Sequence, residues 1–249
     1  MVTRSSSRRG ARRKPKIVQH LLEERGRGGP RKGAGRPKKP DSGMPHLKRE
    51  PLNPRYPVHV TVKFMAGLPS MRAPEPFAVL LRSFDGVREG GSVGKDFRIL
   101  QFSVQSNHLH LIVEAKDRDC LSRGMRGLTA RIVQGLNKLW NRTGSMVPDR
   151  YHDEILRTPK QVRNALAYVL NNAARHGITH GPGPDPYSSG RSFDGWSNYR
   201  TPKQPPDPVV RAETWLINAG WRRFYSLVHT SERPGPKPRR RSPARPRAG

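Results

Sequence analysis

Two histidines one residue apart, His108-Leu109-His110, stand inside the stretch FRILQFSVQSNHLHLIVEA that runs from Phe97 to Ala115. If this run is a strand, successive side chains point to opposite faces, so His108 and His110 share one face while Leu109 and Leu111 take the other. Two neutral imidazoles held on a strand can bind a divalent cation or a phosphate, and a metal there would act as a Lewis acid. The plainer alternative is a polar strand face carrying two solvated rings. Further along, Tyr168 and Asn172 are spaced by one helical turn, so on a helix they face the same way. They supply what the imidazole pair lacks, a phenolic nucleophile and an oxygen ligand, and a polarised phosphate compensates for the weak nucleophilicity of a phenol. Against that stands a tyrosine bordering a core with its hydroxyl in water, and an Asn171-Asn172 pair that merely frays a helix end.

The elements that must position these groups read β-α-β-β-α-β-α. Val58-His59-Val60-Thr61-Val62-Lys63-Phe64 alternates with β-branched residues and predicts a strand. Pro76 to Val87 spaces Phe77, Leu80, Leu81 and Phe84 by three and four residues, an amphipathic helix. Phe97–Val104 and His108–Ala115 form a hairpin about Gln105-Ser106-Asn107. A second helix, capped by Asp119 or Ser122, lines up Leu121, Met125, Leu128, Ile132, Leu136 and Leu139, and leaves Arg123, Arg126, Arg131 and Lys138 on its wet side. Arg150–Thr158 predicts a fourth strand. The last helix starts at Thr158-Pro159, turns Val162, Leu166, Val169 and Ala173 toward the sheet, and stops at Gly177. The order β-α-β-β-α-β is the ferredoxin-like or RRM-like α+β plan, one antiparallel sheet with helices packed on one face. The C-terminal, tyrosine-bearing helix is additional to it.

Composition narrows the partner. The 249 residues carry a formal charge of +29 with 24 Gly, 25 Pro and only 33% hydrophobic residues, which predicts one modest core, irregular flanks and a polyanionic partner. No apolar run reaches the length of a membrane span and no signal-peptide core opens the chain, so nucleic acid is favoured over a membrane and the cytoplasm over export. The single cysteine, Cys120, excludes an internal disulfide framework and reads as a residue at a helix start.

Three separated motifs then coincide: Val58-His59-Val60-Thr61; Asn107-His108-Leu109-His110-Leu111-Ile112-Val113; and Tyr168-Val169-Leu170-Asn171-Asn172-Ala173-Ala174-Arg175-His176-Gly177. In that order and spacing the chain resembles the single-tyrosine transposases of the HUH superfamily, and is most similar to their REP-associated branch, over roughly residues 56 to 180. The HUH name denotes His, hydrophobic residue, His. The tyrosine helix of that branch commonly reads Tyr-Ile-x-x-Asn-Pro; here Ala173 replaces the proline, which favours a continuous helix. The resemblance implies that His108, His110 and Asn172 hold Mg²⁺ or Mn²⁺, and that Tyr168 attacks a phosphate of single-stranded, hairpin-bearing DNA to leave a 5′-phosphotyrosine and a free 3′-hydroxyl. Such an enzyme would work as a monomer or a homodimer. Lys63, Arg175 and the wet side of the second helix, Arg123, Arg126 and Arg131, are the expected DNA contacts. Neither His59 nor Glu114 receives a role, and His152, His176 and His180 read as solvated.

The flanks extend the electrostatic theme. Residues 1–56 hold 17 Lys or Arg against 4 acids, too polar to form a core, and predict a disordered arm. Within it Arg31-Lys32-Gly33-Ala34-Gly35-Arg36-Pro37-Lys38-Lys39 resembles an AT-hook, with Arg36 suited to the narrow minor groove of A·T tracts; a generic phosphate-binding tail reads equally well. The expected organisation is this arm, a catalytic domain over 57–180, an irregular aromatic-basic extension over 181–232, and a disordered basic tail over 233–249. In the extension, Phe193–Trp196, Tyr199-Arg200 and Trp215…Trp221-Arg222-Arg223-Phe224-Tyr225 either stack bases or fold back onto the domain. The competing readings of the whole are a catalytically inactive DNA-binding protein of the same fold and an RRM-shaped RNA binder, the latter opposed by a lack of stacking aromatics on the strands.

Overall fold

The computed structural model describes residues 49–88, 95–175, 177–178, 183–201 and 209–233, all of them within the unit Gly43–Gly249. Arg36 with its AT-hook-like segment, the tail beyond 233, His176 and His180 lie outside the described residues.

Four strands form one antiparallel sheet in the order β2-β3-β1-β4: β1 Val58–Lys63, β2 Phe97–Val104, β3 His108–Ala115 and β4 His152–Ile155. This is the α+β, ferredoxin-like arrangement expected from the element order. The fourth strand is shorter than the expected Arg150–Thr158, and Asp153 and Glu154 are the only residues between its ends. On one face Val58, Val60, Val62, Leu109, Leu111 and Val113 meet α1 (Pro74–Arg88) and α2 (Arg118–Leu139) in the larger core. Strand β2 keeps Phe97 and Ile99, then Phe102 and Val104, in that core although their parities differ. A bulge between Ile99 and Gln101 absorbs the extra residue. It turns Leu100 into the second core on the opposite face.

The cap of α2 is Asp117, not Asp119 or Ser122. Its carboxylate accepts the Cys120 N–H at 2.7 Å, satisfying an orphan donor of the first turn, and that bond holds the Asp117 carboxyl below the usual range. Cys120 is buried just inside the helix, and desolvation pushes its thiol up. Gly124 is required by packing: a Cβ there would fall 2.2 Å from the Phe97 ring.

The third helix, α3 (Pro159–Leu170), lies on the other face of the sheet, where Val162, Leu166 and Val169 pack with Leu100, Ile112 and Leu156. Thr158 and Gln161 close a capping box at its start, with Pro159 in the first turn. The continuous helix expected from Ala173 is interrupted. Asn171 leaves helical geometry at φ −103°, ψ 16°, its buried amide donates to the His229 carbonyl at 3.0 Å, and a short α4 (Asn172–Arg175) follows. Gly177, at φ 72°, ends the segment as expected.

The aromatic extension divides. Phe193, Trp196 and Trp221 are buried against α3, so these three fold back, whereas Trp215, Phe224 and Tyr225 stay exposed. Among the described residues no helix is long and apolar enough to cross a membrane.

Candidate functional site

Strand pairing assembles the site on the α3 face of the sheet. His110 stands opposite Thr61, His108 opposite Lys63 and His59 opposite Ile112, so His59, Thr61, Lys63, His108 and His110 share that face by alternation. The two motif rings sit 4.8 Å apart between centroids and almost perpendicular.

Each ring is held at Nδ1. The Asn107 Oδ1 lies 2.9 Å from His108 Nδ1; a carboxamide oxygen only accepts, so Nδ1 carries the proton and Nε2 keeps its lone pair. Thr61 Oγ1 and His59 Nε2 lie 3.1 and 3.2 Å from His110 Nδ1, so that ring too is engaged through Nδ1. Hydrogen bonds that fix the tautomer and swing of an imidazole are what a ligating histidine needs.

Tyr168 reaches His110 from α3. Its ring meets His110 edge-on at 5.3 Å and His59 at 5.7 Å, and the Arg175 guanidinium sits 5.3 Å over it. Asn172 is 0% exposed and neither polar atom of its amide has a hydrogen-bond partner among the described residues. Leaving each of them unbonded costs on the order of 1–3 kcal/mol. Among the described residues no three His, Cys, Asp or Glu side chains cluster to hold a metal. Imidazole nitrogens and a carboxamide oxygen are donor types that suit a divalent cation of mixed N/O preference.

The DNA contacts expected from sequence separate. Lys63 is exposed on the site face and Arg175 is exposed beside Tyr168. Arg123, Arg126 and Arg131 project from the outer side of α2, across the sheet from the tyrosine. Arg123 and Arg126 line a groove of about 990 Å³ with Arg49, Arg150 and Tyr151. That groove does not lie at the histidines. His59 was legible in principle, since alternation in β1 puts it on the face of Thr61 and Lys63; its meeting with His110 was not. Glu114, also without an expected role, is buried and accepts the backbone N–H groups of Glu213 and Thr214.

The fold is thus a four-stranded α+β sandwich with histidines and a helix-borne tyrosine on one sheet face. A solved structure of a REP-associated tyrosine transposase bound to a REP hairpin matches it over 59% of this chain and 82% of that one, with 17% sequence identity and a TM-score of 0.48. No protein-family model and no curated protein matches the chain.

Proposed function

We propose that the chain is a DNA strand transferase that nicks and rejoins single-stranded, hairpin-bearing DNA, with Tyr168 as nucleophile. The observation that carries the reading is the meeting of Tyr168 with His110, whose ring stands 4.8 Å from that of His108 on the same strand face. His108, His110 and the Asn172 amide oxygen would hold Mg²⁺ or Mn²⁺, whose chemistry there is to polarise the scissile phosphate. The phenolic oxygen of Tyr168 forms the new bond to phosphorus, the bond from phosphorus to the 3′ oxygen breaks, and the strand leaves as a free 3′-hydroxyl. The phosphoester is kept in the 5′-phosphotyrosine link, so the same or another 3′-hydroxyl reverses the step without an external energy source. His59 and Thr61 orient His110, and Arg175 and Lys63 meet the phosphates that flank the reacting one.

The test is incubation of the chain with labelled single-stranded hairpin DNA in Mn²⁺ or in EDTA, read on a denaturing protein gel. The expected result is a covalent band present with Mn²⁺, absent with EDTA and absent from Tyr168→Phe, which still binds the hairpin. Tight binding with no band in the intact chain would overturn the enzyme reading in favour of a DNA-binding module.

A further inference from the structure

On the same sheet face, at the far end of β3, a second groove of about 440 Å³ runs between Pro54-Arg55, Lys95-Asp96, Ala115-Lys116 and Thr214-Trp215. Glu114 lies about 13 Å along the strand from His110, at ~3.3 Å per residue. α3 and the C-terminal segment cover Ile112 between them.

This groove is built rather than incidental. Glu114 is only 2% exposed, and its carboxylate accepts the Thr214 N–H at 2.8 Å, the Glu213 N–H at 3.0 Å and an Arg98 guanidinium N–H at 2.5 Å. Arg98 also pairs with Glu213. Two of the three carboxylates in the groove are therefore spent on anchoring the chain one residue before Trp215, leaving Asp96 as the third. Trp215 is 53% exposed. Its ring lies against Gly220, where a Cβ would fall 2.6 Å from it, and a π-helical turn, Leu216–Gly220, brings that glycine beneath it. Arg55, Lys95 and Lys116 are exposed around it and enter no ion pair among the described residues. The Thr214 hydroxyl, shielded from solvent, has no hydrogen-bond partner there.

The geometry points to a single-stranded nucleotide subsite in which a base stacks on the Trp215 indole and the flanking phosphates meet Arg55, Lys95 and Lys116. An immobilised indole with one surface in solvent accepts any base by its π face, and nearby cations supply the sequence-independent part of the affinity. A duplex keeps its bases paired and stacked, so the occupant is a single strand. This subsite rests on the proposed function only in sharing a nucleic-acid partner; it requires no chemistry at Tyr168.

The test is binding of labelled oligothymidine to the full chain in EDTA, with tryptophan emission and affinity both read. Oligothymidine is expected to quench emission in the intact chain and far less in Trp215→Phe, which keeps most of the affinity. Trp215→Ala is expected to weaken binding about tenfold, with duplex affinity unchanged. Gly220→Ala, whose added Cβ must displace the ring, is expected to weaken it in the same direction while leaving Trp215 in place. Unchanged oligothymidine affinity in Trp215→Ala, or an equal loss for duplex, would overturn the subsite. Because these readings are taken without metal, they stand or fall separately from the covalent band.

Discussion

The amide of Asn172 is fully buried. Neither of its polar atoms is bonded among the described residues, so an apolar residue of similar volume removes a desolvated donor and acceptor together. Asn172→Leu is expected to raise stability without metal by about 1 kcal/mol in a denaturant titration. The same variant is expected to lose the rise in melting temperature that Mn²⁺ produces in the intact chain, since a ligand stabilises only the state that binds it. Lower stability of Asn172→Leu in EDTA, with the Mn²⁺ response retained, would show that the amide serves packing alone. At this scale the shared strand face of His108 and His110 was legible because His-x-His is a local pattern. The role of His59 was not, because its partner is reached only across strands.

At the scale of elements, the tyrosine helix is held from outside by the C-terminal segment. Asn171 donates to His229, Arg163 pairs with Glu232, and Trp221 is buried beside Leu166 and Val169. The Arg163 guanidinium holds the Glu232 carboxyl below its ordinary range. A depressed carboxylate contributes its full stability above its unfolded pKa and loses it as the pH falls through the lower folded value. The pairing with α3 is therefore expected to weaken progressively as the pH falls below about 4.5, the ordinary value for such a carboxyl. Hydrogen exchange should then show residues 228–233 opening at acid pH before the sheet does, and Glu232→Gln should abolish that pH dependence. Simultaneous opening of segment and sheet would contradict it. The break at Asn171 belongs to this scale too. Helix propensity at Ala173 favoured continuity, and a side-chain bond to a carbonyl far along the chain overrode it.

For the whole molecule, charge is distributed over more than one surface. Of the formal +29, +13 falls within residues 1–56 and +7 within residues 233–249, leaving +9 between them. Within the described residues the α2 cations face away from Tyr168, so they would act on a different stretch of the nucleic acid from Lys63 and Arg175. Replacing Arg123, Arg126 and Arg131 together by alanine is expected to flatten the slope of log affinity against log salt by about two units on single strands, at ~0.7 for each phosphate no longer neutralised. An unchanged slope would remove α2 from the binding surface. Deleting residues 1–48 is expected to flatten it as well, and Arg36→Ala to abolish any preference for A·T duplex if the hook-like segment enters the minor groove.

The sequence by itself determined β1, the β2–β3 hairpin, most of each helix stripe and the face on which the histidines stand. These rest on periods of two and 3.6 residues, and β2 and β3 span the very residues expected of them, Phe97–Val104 and His108–Ala115. By contrast, β4 is shorter than expected and Leu139, expected in the stripe of α2, is exposed. Only the tertiary structure decided that α3 packs on the histidine face, that His59 and Thr61 grip His110, that Trp221 is buried while Trp215 is exposed, and that Glu114 captures the backbone before Trp215. The physical reason is common to all four. Each depends on groups far apart in the chain being brought within bonding or packing distance, and no local pattern of residue types records which distant partner a side chain will meet.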